Sequence, residues 1–234
     1  MSHLTQPYTM LPKIWCSFFF TRAGWYCLQT GRHVHTHVGW RTRMDVAVGI
    51  TWGLHHLHTT GNMVHGNLAC ENVLLDSHAH PKIADYGLFR LIAMDASSNR
   101  MPTVHNWAML YRPYCAPELS DLTQANTKTD VYSLGVIILE LLTGKSPFVM
   151  AVDGVDLPRW VAMIAKERGT FEVFDRELRE TRADDLLYAL NVGLHCVDPS
   201  PHQRPEVVQV LHQLSEIRAY LGIEKKSHVE TTLY

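Results

Sequence analysis

A mainly α-helical lobe with a small patch of strands and loops is the fold class that this 234-residue sequence predicts. Three observations lead there. Apolar residues recur at three- and four-residue steps through several long segments, as they do on the buried face of a helix. One stretch, Asp130 to Thr143, is apolar on nearly every side, which places a helix in the middle of a core. Short apolar runs bounded by turn residues cluster near residues 62–87, the pattern of short strands around a loop.

The totals set the bounds. The length suits one good-sized domain with a substantial core. Hydrophobic residues make up 46% and charged residues 19%, as in an ordinary globular chain. A formal net charge of -2 supplies no basic footprint for nucleic acid or an anionic membrane. Five cysteines (Cys16, Cys27, Cys70, Cys115 and Cys196) are odd in number and form no C-x-x-C pair. That argues against a disulfide framework or structural zinc and for a reducing compartment. The apolar run Ile14 to Phe20 is far shorter than the ~20 residues of a membrane span. It also lacks a basic region ahead of it and a small-residue cleavage site. A soluble, cytoplasmic chain without a membrane span is the expectation.

In chain order, residues 1–40 are rich in aromatics and histidine and show no sustained period. Met44, Val46, Ala47, Ile50, Leu54 and Leu57 then mark a helix to about His58, stopped by Thr60-Gly61-Asn62. Met63-Val64, Val73-Leu74-Leu75 and Lys82-Ile83-Ala84 read as short strands. Residues 88–117 carry little period and suggest a long loop, usually a functional feature inside a compact domain. After the buried helix at 130–143, amphipathic helices are expected at about 156–168, 184–197 and 205–221. The last has Pro205 in its first turn and Val207, Val208, Val210, Leu211, Leu214, Ile217 and Leu221 on one side. Residues 222–234 read as a polar tail.

The chemistry-bearing residues sit in the strand-and-loop patch. His65-Gly66-Asn67-Leu68-Ala69-Cys70-Glu71-Asn72 has the spacing of the protein-kinase catalytic loop, His-Arg-Asp-Leu-Lys-x-x-Asn. Asp85-Tyr86-Gly87 is similar to Asp-Phe-Gly, and Ala116-Pro117-Glu118 to Ala-Pro-Glu. Asp130-Val-Tyr-Ser-Leu-Gly and Arg204-Pro205 complete the series in family order. Over residues 41–221 the chain therefore resembles the C-terminal lobe of a protein kinase. The wording of Asn-Val-Leu-Leu-Asp, Lys-Ile-Ala-Asp-Tyr-Gly-Leu and the 126–147 stretch is similar to plant leucine-rich-repeat receptor-like kinases. The His-Gly-Asn loop occurs in an inactive subgroup of those receptors.

The departures from the family pattern decide what the resemblance implies. The position of the catalytic aspartate holds Asn67, whose carboxamide cannot take up a proton near neutral pH. The position of the loop lysine holds Ala69, and Gly66 replaces the arginine that clasps a phosphorylated activation loop. The metal positions Asn72 and Asp85 remain, an oxygen set suited to Mg²⁺. Residues 1–64 contain no G-x-G-x-x-G and no Val-Ala-x-Lys; at most Trp15 to Gln29 occupies the place of the interlobe hinge. An N-terminal β lobe is thus expected to be largely absent from this chain, with Mg-ATP a cofactor only where that lobe is supplied. Pro113-Tyr114-Cys115 looks inserted ahead of Ala-Pro-Glu and is expected to disturb the peptide-substrate platform. By contrast, the resemblance assigns structural roles to His65, Tyr86, Gly87, Glu118, Asp130 and Arg204. Glu118 and Arg204 are the ion pair that anchors the activation segment, and Asp130 accepts from the catalytic loop. His65 and Tyr86 join the apolar column above the central helix.

Three functions follow as expectations. The first is a pseudokinase lobe that binds or scaffolds other signalling kinases or receptor-complex proteins. The second is a weak Ser/Thr kinase in a longer product, and the third a truncated product without selected function. His33, His35 and His37 and then His55, His56 and His58 suggest a metal site only if they converge; packing and solvent are the simpler reading. Ser97, Ser98 and Thr103 are candidate phosphorylation sites or plain loop hydroxyls.

Overall fold

The helix from Thr127 to Thr143 carries the architecture, because almost every residue along it is buried. Its first turn is fixed by a capping box: the Asn126 side chain accepts from the Lys128 and Thr129 N–H groups while the Thr129 hydroxyl accepts from the Asn126 N–H. Its end is set by Gly144 in the left-handed region at φ 67°, whose N–H bonds the Glu140 carbonyl. We label this helix α2. The computed structural model describes residues 16–21, 24–27, 32–34, 38–76, 80–87, 112–119, 124–152 and 154–231.

The other elements pack around α2. Helix α1 is Trp40–Thr59, α3 Pro147–Val152, α4 Leu157–Glu167, α5 Ala183–Cys196 and α6 Val207–Thr231. Helix α5 lies along α2, α4 packs beside both α2 and α3, and α6 covers α1. Five short strands form one sheet in the order β3-β2-β1-β4-β5. They are β1 Cys16–Thr21, β2 Gly24–Cys27, β3 Arg32–Val34, β4 Val73–Leu75 and β5 Pro81–Ile83, and every pairing is antiparallel. The fold is a mainly helical, kinase-like C-terminal lobe.

Several sequence expectations meet a different structure. Residues 1–40, left without assigned structure, contribute β1 to β3. Their short aromatic-rich runs show no alternation, so period alone does not reveal them. Met63-Val64 is not a strand: Asn62 turns the chain at φ 45°, and the Met63 N–H bonds back to the Leu57 carbonyl at the end of α1. Helix α3 was not anticipated, and α6 runs past residue 221 to Thr231 through a proline-free segment rich in Glu and Lys. The long loop expected at 88–117 falls mostly outside the described residues.

Among the described residues, two arginine side chains lie inside this lobe. Arg43 on α1 donates to the carbonyls of Val38 and Leu141 and to the carboxylates of Asp175 and Glu177, at 2.7–3.0 Å. It thereby joins the start of α1, the end of α2 and the 175–177 turn. Arg204, the second, belongs to the site described below.

The α2–α5 contact depends on a close approach at Gly135. A Cβ there would lie 2.5 Å from the Cys196 Cβ, 2.8 Å from a Val197 methyl and 3.0 Å from the Gly193 carbonyl oxygen. Replacing glycine with alanine inside a helix favours the helix by up to ~1 kcal/mol. Overpacking a rigid core typically costs ~1–3 kcal/mol, and here the clashes include backbone. Gly135→Ala is therefore expected to destabilise the lobe by about 1–2 kcal/mol in a denaturant melt, with the sign set by packing rather than propensity.

Candidate functional site

The loop that follows α1 is held against α2 by one carboxylate. Asp130 lies in the first turn of α2 and is buried. Its Oδ2 accepts from the His65 N–H and its Oδ1 from the Gly66 N–H, both at 2.8 Å. The His58 Nε2, in the last turn of α1, lies 2.8 Å from the same Oδ2 and donates the third bond. His58 went unassigned in the sequence because it reads as one of a run of histidines; its signal is its place one turn before the loop.

Within the loop the backbone folds on itself. The Asn67 N–H reaches the His65 Nδ1 at 3.3 Å, and the Asn72 amide Nδ2 donates to the Asn67 carbonyl at 2.8 Å. Gly66 adopts φ 74°, a conformation glycine enters without the Cβ penalty, so the residue that replaces arginine also suits this turn. His65 is fully buried; desolvation lowers its pKa, although Asp130 and Asp85 pull the other way. The Ala84 N–H bonds the Asn72 carbonyl and the Gly87 N–H bonds the His65 carbonyl, which ties the Asp85-Tyr86-Gly87 turn to the loop.

The positions of the chemistry are now clear. Asn67 is half-buried at the base position, and Ala69 is completely buried where the loop lysine would stand. Asn72 is buried and uses its Nδ2 on the loop, leaving Oδ1 as its possible metal ligand. Asp85 is exposed, at φ 59°. These two oxygens fit Mg²⁺ only as part of a set completed by nucleotide phosphates. Among the described residues, no group of three His, Cys, Asp or Glu side chains could hold a metal. Of the histidines considered for such a site, His58 is bound to Asp130, and His56 stacks on Trp52. His35, His37, Ser97, Ser98 and Thr103 fall outside the described residues.

Two sequence expectations are corrected here. Tyr86 does not join a buried column with His65: it is 49% exposed, because it sits in a turn above the loop with nothing described over it. Pro113-Tyr114-Cys115 is not an insertion. Counted back from Ala116-Pro117-Glu118, Tyr114 stands at the tyrosine of Gly-Tyr-x-Ala-Pro-Glu, and only Pro113 departs from it. Tyr114 is buried, its hydroxyl donates to Glu140 at 2.6 Å, and its carbonyl accepts from Ser133 at 2.8 Å. Through these two bonds Tyr114 holds the segment to α2.

The second anchor is a bidentate pair. Arg204 Nη1 and Nη2 donate to the two oxygens of Glu118 at 2.6 and 2.8 Å. Its remaining donors reach the carbonyls of Asp198 and Lys128, and its guanidinium lies over the Tyr132 ring at 4.9 Å. The pair is buried on one side only: the Arg204 side chain is sealed, whereas that of Glu118 keeps 31% exposure. Partial desolvation pushes the Glu118 pKa up, but the Arg204 hydrogen bonds, a backbone N–H and the Arg204 charge outweigh it and hold the carboxyl below its ordinary value.

A loop of this spacing on a buried carboxylate, with an activation-segment ion pair beside it, is the frame of a protein kinase. The sequence matches the protein tyrosine and serine/threonine kinase family model over residues 19–214. The chain belongs to that family. Among its relatives in Arabidopsis thaliana is the probable leucine-rich repeat receptor-like protein kinase IMK3, 55% identical over 185 residues that cover 78% of this chain and 23% of the relative. The probable inactive receptor kinase RLK902 is 38% identical over 189 residues, covering 77% of this chain and 28% of its own. The chain thus spans about a quarter of the length of these curated relatives. Among solved structures, the pseudokinase domain of BIR2, an immune regulator of the RLK/Pelle family, superposes with a TM-score of 0.63 at 29% identity, covering 79% of this chain and 54% of that one. The maize SIRK1 kinase domain bound to AMP-PNP gives 0.60 at 33% identity, covering 75% and 58%.

The kinase frame can be tested through its ion pair. Glu118→Ala leaves the sealed Arg204 with only carbonyl partners, and we expect a loss of about 2–3 kcal/mol, at the lower edge for a buried pair because Glu118 is partly hydrated. Because the Glu118 pKa is lowered on folding, its contribution is present above 4.5 and lost as pH falls through the depressed value. Acid titrations followed by circular dichroism should show that loss in the wild type and not in Glu118→Gln.

Proposed function

We propose that this chain is the C-terminal lobe of a receptor-like pseudokinase, acting as a binding or scaffold module in signalling rather than as a phosphotransferase. The observation that carries the reading is Asn67, at the position where the family uses a base, inside a loop whose backbone is held at His65, Gly66 and Asn67. An amide there holds a substrate hydroxyl but takes no proton from it. General-base assistance is typically worth ~10²–10⁴ in rate. Ala69 removes the lysine charge that would steady the moving phosphoryl group, and Gly66 removes the arginine through which phosphorylation controls the segment.

The erosion is confined to chemistry. Asp130, His58, Glu118 and Arg204 keep the hydrogen bonds that hold the kinase frame. A lobe kept in shape without its base is suited to presenting a surface. Other signalling kinases and receptor-complex proteins are the partners this reading implies, at the cytoplasmic side of the membrane. No helix among the described residues is long and apolar enough to cross a membrane. The similarity to RLK902, a probable inactive receptor kinase, and to the BIR2 pseudokinase domain supports the same direction.

A second reading, a weak Ser/Thr kinase that uses Mg-ATP in a longer product, is favoured by the retained Asn72 and Asp85. Two assays separate the readings. In radiolabel transfer by the longest natural product that contains this lobe, we expect background signal, unchanged by Asp85→Ala. Transfer that disappears in Asp85→Ala would overturn the pseudokinase reading. A thermal melt with Mg-ATP adds the binding side: ligand at ~100 times its Kd stabilises by about 2.7 kcal/mol, so retained nucleotide binding is visible even without transfer.

A further inference from the structure

Glu140, near the end of α2, has no part in the chemistry above, yet it is among the most completely buried charged residues of the lobe. Two donors converge on its Oε2: the Cys70 thiol at 2.8 Å and the Tyr114 hydroxyl at 2.6 Å. Cys70 belongs to the catalytic loop and Tyr114 to the activation-segment anchor, so one carboxyl joins both to the central helix. Among the described residues, no Lys, Arg or His is paired with it.

We propose that Glu140 is a proton-held latch: as a neutral acid it binds the catalytic loop and the activation-segment anchor to α2, and loss of its proton as pH rises loosens the anchor.

Four geometric facts favour the neutral form. The Glu140 side chain is only 2% exposed, and a buried anion without a counter-cation is strongly disfavoured. It lies in the last turn of α2, where the partial negative charge of the helix end opposes an anion. A second carboxyl, Glu71, faces it from the loop, and its Oε2 is buried without a partner. With both donors on Oε2, Oε1 is left to carry the proton. The two hydrogen bonds act against this, since donors stabilise a carboxylate, but burial dominates and pushes Glu140 up to about 8.

The groups that face Glu140 are Cys70 and Glu71 from the loop and Tyr114 from the segment before Ala-Pro-Glu. Burial raises Cys70 and Tyr114 well above their ordinary values, so neither ionises in the same window. The sign follows. A folded pKa above the unfolded one gives stability that is full below 4.5 and lost as pH rises to about 8. Above that point the carboxylate must find water, and the exposed way out is through residues 112–119, whose Pro117 and Glu118 already reach the surface.

The test uses the full chain. The Glu140 side-chain carboxyl is assigned through bonds by NMR in the wild type and titrated from pH 5 to 10, alongside amide-exchange protection of residues 112–119 corrected for base catalysis. The expected result is titration near 8, with protection of the segment falling in the same window. Titration in the ordinary carboxylate range, or protection that stays level while Glu140 ionises, would overturn the proposal. Glu140→Gln supplies an independent measure, because the amide copies the neutral acid. Between 4.5 and about 8, the wild-type folding constant should fall about tenfold per pH unit relative to this variant. Parallel profiles would also overturn the latch. If the variant fails to fold, the wild-type titration and exchange data decide alone.

Discussion

The hydrogen bonds gathered by Asp130 are the constraint on which the rest of this lobe depends. The loop from His65 to Asn72 crosses the buried face of α2, and its N–H groups there must find acceptors inside the protein. One carboxylate meets two of them and takes a third donor from His58. The end of α1, the catalytic loop and the start of α2 are thus joined at a single buried point. Asp130 also sits in the first turn of α2, where the helix end favours negative charge. The arrangement needs no base, no lysine and no nucleotide. The frame is thus independent of the side chains at 67 and 69, because the atoms that shape the loop are backbone N–H groups.

The same separation holds in the activation segment. Its end is tied down twice, by Glu118 to Arg204 and by Tyr114 to Glu140 and Ser133. Neither tie passes through a phosphorylated residue. With Gly66 in place of arginine, the loop has no cation at that position to reward phosphorylation with order. The described part of the segment is therefore held by packing and by these hydrogen bonds.

The legibility of this architecture in the sequence followed the kind of signal each part leaves. Helix α2 was readable because a stretch apolar on all sides has few alternatives, and α4 and α6 because their buried residues repeat at helical steps. The catalytic loop was readable from spacing alone. Strands β1 to β3 were not, since runs of three to six residues without alternation leave no period to detect. Arg43 was hidden for another reason: a buried arginine is defined by partners at Val38, Leu141, Asp175 and Glu177, and most of these lie about a hundred residues or more away in the chain. Tyr86 was misplaced because its partner column is a property of packing, not of local sequence. Tyr114 falls at the tyrosine of the motif once the count runs back from Ala116, and its burial against Glu140 is a tertiary contact that spacing does not reveal.

The two acidic residues of α2 show how far position along one helix can divide identical chemistry. Asp130 and Glu140 are both carboxylic acids, both buried and both hydrogen-bonded to the catalytic loop. Asp130 faces the positive end of the helix and gathers backbone N–H donors; Glu140 faces the negative end, beside Glu71, with a thiol and a phenol for company. Removing water disfavours the Glu140 anion, whereas the Asp130 carboxylate lies at the N-terminal end of the helix with His58 2.8 Å away. Burial pushes Glu140 up to about 8 and Glu71 up to about 7, beneath a loop that carries Asn67 and Ala69. The two carboxyls thus differ through the helix end each one faces and the donors each one gathers, not through their chemistry.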